Sequence, residues 1–158
     1  AGPRIYTPDG EFEALTMVKK KRAVDTLRLM ALETPLRSLL GWFEKKQIIK
    51  EEINKLTKVY AVAGSCFMIS GYNIDMVYPL DEHTFLFGEE EIIGARIQNA
   101  RKKVMVVPDT HIIHAHSQST GAPSRKTYSY MIESEQYYLK EYLHTGWLMR
   151  MFILFIRK

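Results

Sequence analysis

The sequence predicts an α/β fold, and three observations carry that expectation. "KVYAVAGSCFMIS", residues 58–70, is β-branched, aromatic and almost continuously apolar, which suits a central strand covered on both faces. Shorter β-like runs, "VMVVP" and "HIIHAH", follow further along, separated by Pro-Asp-Thr. Before these two runs lies a helix over residues 89–102, where Ile93, Ile97 and Ala100 fall at i, i+4 and i+7 and Arg101, Lys102 and Lys103 crowd the cationic end. With 158 residues, 46% of them hydrophobic, the chain is long enough for one domain with its own core.

The remaining elements follow in order. "GPRIYTPDG" reads as a short strand running into a Pro-Asp-Gly reversal, with a second short strand returning through Phe12 to Leu15. Good helix formers dominate from Val18 to Leu40, interrupted at Pro35, and "GWFEKKQIIKEEINKL" is a charged surface segment with some helical character. "YNIDMVYPLDEH" is irregular, and Phe85 to Phe87 then lead from a buried strand end into the helix at Glu89. "SQSTGAPSR" is a Ser/Gly/Pro loop, polar enough to close over a ligand. A last helical region spans about Lys126 to His144. The domain is therefore assigned to residues 1–145, and residues 146–158 form a separate hydrophobic, amphipathic C-terminal segment.

Net charge is +4 and the pI about 9.1, which permits an anionic partner without choosing one. The charge is uneven: from Met17 to Lys58 there are eleven Lys or Arg against five Asp or Glu, and after His144 three cations and no acid. A single cysteine, Cys66, excludes an internal disulfide and a cysteine-built zinc site, and favours a reducing compartment. The opening "AGPRIYTPDG" lacks a charged stretch followed by an apolar core, so it does not read as a secretory signal; it starts abruptly, as if inside a domain.

Three constellations could carry chemistry. Glu89, Glu90 and Glu91 open the helix, where the dipole stabilises acids by about 0.3–1 kcal/mol each; the same acids at the rim of a sheet would stand where α/β proteins place ligands. His111, His114 and His116 lie within six residues, and 114 and 116 would share a strand face, a spacing that suits either a divalent metal or an ordinary polar edge. Trp147 to Ile156 has nine apolar residues in ten, too short for the roughly 20 a bilayer span needs, but suited to a membrane interface or a core helix. No Ser-His-Asp, P-loop or dinucleotide-glycine signature is present, and the basic segment lacks the aromatics of a nucleic-acid surface.

Taken in order, "GPRIYTPDG", "VAGSCFMIS", "LDEHTFLFGEEEIIGAR" and "VMVVPDTHIIHAHSQST" resemble the C-terminal half of a bacterial family 2 glycosyltransferase of the rhamnosyltransferase-like kind, over residues 1–10 and 57–121. The resemblance implies the C-terminal half of a GT-A (Rossmann-like) fold, a mixed sheet with flanking helices whose nucleotide-binding half is absent from this chain. It implies an inverting enzyme that moves a sugar from a nucleotide-sugar donor to a hydroxyl of a saccharide or lipid-linked acceptor. Glu89 and Glu90 match the family's Glu-Asp pair, with Glu90 the general base; Arg96 matches the arginine ending that motif. His114 matches a histidine near the donor diphosphate or its metal, Ser119 and Thr120 belong to a flap over the donor, and Gly64 is a small residue beside which substrate approaches the backbone.

There are departures. The base is Glu rather than the usual Asp, Ile92 stands where many relatives carry a second acid, and no Asp-x-Asp occurs. A divalent metal (Mg or Mn) would then draw most of its ligands from outside this chain, which alone should transfer sugar poorly. The resemblance implies work in cell-surface polysaccharide synthesis, in the cytoplasm and peripheral at the inner face of the cell membrane, without nucleic acid. The rival expectation is a non-catalytic membrane- or protein-binding module.

Overall fold

The computed structural model describes residues 1–13, 19–20, 22–31, 52–115 and 124–157. They form a mixed α/β structure. Its sheet has three strands, β1 (Gly2–Tyr6), β2 (Thr57–Val59) and β3 (Val104–Ile113), in the order β1-β3-β2. β3 is central, parallel to β1 and antiparallel to β2, so the sheet is open and mixed. Around it stand α1 (Ala23–Ala31), a 3-10 helix (Gly71–Met76), α2 (Glu89–Asn99), α3 (Arg125–Glu141) and α4 (Trp147–Arg157).

The strand expected at the centre is at the edge instead. Its antiparallel ladder ends with Val59 opposite Val104, the first residue of β3, and past it the pairing dwindles to an isolated bridge at Ala61. Tyr60 and Ala61 remain buried for a different reason: they turn onto the helices and pack with Ile92, Ala95 and Tyr138. The apolar run thus marks burial correctly but not pairing. Conversely, "VMVVPDTHII" is one strand rather than two. Pro3 is opposite Val107 and Arg4 opposite His111, so Pro108, Asp109 and Thr110 bulge out where proline has no N–H to give the ladder. β1 and its reversal are as expected: Gly10 (φ +83°) donates its N–H to Thr7 O, and Phe12 returns as a bridge opposite Tyr6.

Phe85 to Phe87 do not form a buried strand end. They are bends, with Phe85 exposed, and Phe87 (φ +68°) and Gly88 (φ +85°) are both left-handed, turning the chain sharply into α2. Ser134 of α3 fixes the turn by donating Oγ–H to Leu86 O at 2.8 Å. On α2 the buried positions are Glu91, Ile92, Gly94 and Ala95 rather than the expected Ile93, Ile97 and Ala100. The reason is that α2 meets two clusters: Ile92 and Ala95 face Tyr60 and Tyr138, while Ile97 packs on Val59, Val104 and Val106. Ile92, at 2% exposure, is a core residue.

Gly94 sets how closely α2 rides on this segment. A Cβ there would stand 2.6 Å from Tyr60 O and 3.3 Å from Ala61 Cβ, contacts with backbone that no side-chain rotation relieves. Alanine favours helices over glycine by about 1 kcal/mol, yet Gly94→Ala is expected to lower stability by about 2 kcal/mol through overpacking. The urea midpoint measures it; an unchanged or higher midpoint would contradict the close packing.

α3 begins at Ser124, whose Oγ accepts the Thr127 N–H at 3.1 Å. No helix among the described residues is long and apolar enough to cross a membrane. The expected helix beyond Ala31, the interruption at Pro35, most of "GWFEKKQIIKEEINKL" and the loop with Ser119 and Thr120 lie outside the described residues.

Candidate functional site

A cleft of about 470 Å³ opens between α2, α3 and the segment after β2, and reaches the sheet at His114, directly after the carboxyl end of β3, the end at which α/β sheets bind ligands. One wall is the first turn of α2, Glu89 to Glu91, with Gly64 and Ser65 beside it; His114, following β3, forms another, and Glu135 of α3 with Arg157 of α4 closes the far side.

Glu90 is held at the helix start by backbone. Gly88 caps α2 without a side chain, and the half-buried Glu90 carboxylate turns back over the turn, Oε1 accepting the Gly64 N–H at 2.9 Å. Burial raises its pKa above the ordinary carboxylate value, and the Glu89 charge pushes the same way. The N–H groups of Glu90 itself and Gly64 oppose this without cancelling it. The group is therefore a carboxylate of raised basicity facing a cavity.

Gly64 is needed because of that contact. A Cβ at residue 64 would stand 2.6 Å from Glu90 Oε1, so what approaches Gly64 in this structure is the Glu90 carboxylate. Since that oxygen ends a flexible side chain, Gly64→Ala is expected to cost under about 1 kcal/mol of stability while displacing the carboxylate. A crystal structure of the variant with Glu90 unmoved would refute the contact.

His114 is positioned by its N–H, which donates to Tyr6 O at 2.8 Å, and by its ring, whose Nδ1 lies 3.1 Å from Glu13 Oε2. Glu13 is fixed in turn by its N–H to Ile5 O at 2.8 Å. A carboxylate at Nδ1 sets the tautomer and orientation of an imidazole. Across the cleft Arg157 Nε and Nη2 donate to Glu135 Oε2 and Oε1 at 3.2 and 3.1 Å, a two-pronged pair.

Of the residues singled out from sequence, Glu89, Glu90, Gly64 and His114 come together in this cleft. Arg96 does not: its guanidinium donates to Val77 O, Pro79 O and Tyr142 Oη and lies 3.5 Å from Asp81, bracing the loop before α2. Ser119, Thr120 and His116 are outside the described residues. His111 lies edge-on to Tyr6, beside a separate surface pocket. Among the described residues no three His, Cys, Asp or Glu side chains converge to hold a metal ion. His114, with Nδ1 engaged by Glu13, offers one donor at most, so these residues do not by themselves fit a metal centre. Sequence reasoning missed Glu13, 101 residues from its histidine, and the Glu135–Arg157 pair. The latter had one usable signal, two helices joined by a short turn with opposite charges facing.

No protein-family model, curated protein or solved structure matches the chain.

Proposed function

We propose that this chain is the acceptor-side half of an inverting GT-A glycosyltransferase, which moves a sugar from a nucleotide-sugar donor to a hydroxyl of a saccharide or lipid-linked acceptor at the inner face of the cell membrane. The observation that carries it is the meeting of Glu90 and His114 in one cleft, the histidine directly after the parallel strand β3. Glu90 takes the proton of the acceptor hydroxyl as that oxygen attacks the anomeric carbon; the bond from that carbon to the diphosphate breaks, and the nucleoside diphosphate leaves. A base of raised pKa accepts a proton more readily than a solvated carboxylate does. His114, whose ring Glu13 braces, would by the resemblance serve the departing diphosphate. A divalent metal would be held mainly by groups beyond this chain, and Arg96, Ser119 and Thr120 enter on resemblance alone.

The test is turnover of nucleotide sugars by the full-length polypeptide across pH. Transfer with inversion is expected, and because Glu90 must be ionised, activity should fall as pH drops through a value above the usual carboxylate range. Absence of transfer from every donor class removes the proposal in favour of a non-catalytic module, which draws on the apolar outer face of α4.

A further inference from the structure

The outward face of α4 is apolar from end to end. Leu148 and Phe155 are each 77% exposed and Phe152 is 52% exposed, and at i, i+4 and i+7 they form one stripe, widened by Trp147, Met149 and Ile156. The two described cations of the helix turn the other way. Arg157 binds Glu135 of α3 and is 16% exposed, and Arg150 has its Nε buried. A water-facing helix is arranged in the opposite sense, with polar groups outward, so this stripe is built for a covering.

Charge around the stripe says which covering. Before α4, Lys20 Nζ donates to Tyr142 O at 3.3 Å, with exposed Lys19 beside it in the chain and Arg22 next along, paired with Asp25 at 3.1 Å. At the other end, exposed Arg125 and Lys126 open α3 within a turn of Tyr128, whose Oη donates to Arg157 O at 3.2 Å. Of the exposed acids of α3, Glu141 pairs with Lys140 at 2.6 Å, and Glu133, which accepts from Ser129 and keeps its charge, sits mid-helix in the sequence of α3 and not at either end. Cations thus stand at both ends of an apolar strip that itself carries no acid.

We infer that α4 docks on an anionic phospholipid bilayer, with the stripe at the boundary of headgroups and acyl chains and the two cationic clusters over lipid phosphates. A second copy of the chain is disfavoured as occupant. Whether two stripes paired parallel or antiparallel, a cationic cluster would meet a cationic cluster, whereas phosphate neutralises both. Arg157 belongs both to this helix and to the wall of the Glu90 cleft. Docking therefore holds that cleft close to the lipid surface, and within the transferase proposal, on which this one clause rests, it selects the lipid-linked acceptor over a free saccharide.

The test is flotation of the full chain with phosphatidylcholine vesicles, with and without phosphatidylglycerol, beside a Phe152→Ser/Phe155→Ser variant. Both positions are exposed, so the variant should keep the wild-type circular dichroism. Expected are binding that requires phosphatidylglycerol, weakens about tenfold at high salt, and falls about tenfold or more in the variant. Three outcomes overturn the inference: no vesicle binding by the wild type, equal binding by wild type and variant, or a dimer in sedimentation that the variant splits while vesicles float free. The vesicles hold neither donor nor acceptor, so failure here leaves the transferase proposal standing, and failure of that proposal leaves the docking surface intact.

Discussion

Replacing Glu90 with Gln is expected to lower sugar transfer by about 10²–10⁴-fold, the range for loss of a positioned general base, while the protein stays folded. The two outcomes are separable because the substitution is nearly isosteric. An amide oxygen can still accept the Gly64 N–H that now reaches Oε1 at 2.9 Å, so the tie between residue 64 and the first turn of α2 is kept. What disappears is the charge. Burial and the neighbouring Glu89 make ionisation of Glu90 unfavourable in the fold. A carboxyl whose folded pKa lies above its unfolded value favours the folded state below the unfolded value and loses that advantage as pH rises through the folded one. Gln escapes this loss, so at neutral pH the variant should be as stable as the wild type or slightly more so. Stability retained with transfer abolished is the signature of a group kept for chemistry. Turnover equal to wild type in the full-length polypeptide would end Glu90's role as the base, whereas loss of the fold would show that the carboxylate is structural.

How much of this was legible in the sequence depended on whether the cause was local. The acids at residues 89–91 were readable as a helix start because Gly88 before them breaks the chain and a dipole attracts negative charge, and α2 does begin at Glu89. β1 and the Pro-Asp-Gly reversal were readable for the same reason, since turn chemistry acts within four residues. Strand position was not. An apolar run records that a segment is buried, and Tyr60 and Ala61 satisfy that against helices as well as they would inside a sheet. The site was half legible: Glu90 and His114 carry chemistry in their residue types, but the Gly64 contact and the Glu13 brace span 26 and 101 residues and exist only because the chain folds back on itself. Arg96 shows the converse. Its position at the end of the acidic motif suggests a ligand, yet three oxygen acceptors from residues 77, 79 and 142 surround its guanidinium.

Those acceptors belong to a knot whose centre is Asp81, and Asp81→Ala is expected to destabilise the protein by about 3–5 kcal/mol, the cost of stripping one partner from a buried charged network. The carboxylate is only 6% exposed. Burial alone would raise its pKa, but Tyr142 Oη at 2.5 Å, the His83 N–H and ring at 3.1 and 2.9 Å, and Tyr137 Oη at 2.9 Å outweigh burial and hold it at about 2. Three parts of the fold meet there: the loop carrying His83, α2 through Arg96 at 3.5 Å, and the end of α3 through Tyr137 and Tyr142. Because the folded pKa is depressed, the stabilisation is fully present above the unfolded value of 3.8 and is lost as pH falls toward about 2. A shift of that size corresponds to ~2.4 kcal/mol between the two ends of the window. Wild-type urea midpoints should therefore fall steeply across it, and those of Asp81→Ala less steeply. Asp81→Asn, which keeps an acceptor for one tyrosine and loses the charge, should have a neutral-pH midpoint between the two and, with no carboxyl to titrate, the same shallow acid dependence as the alanine variant. A midpoint at neutral pH equal to wild type, or the same acid dependence in the alanine variant, would mean that the tyrosines and Arg96 find other acceptors and that the loop is held by packing alone.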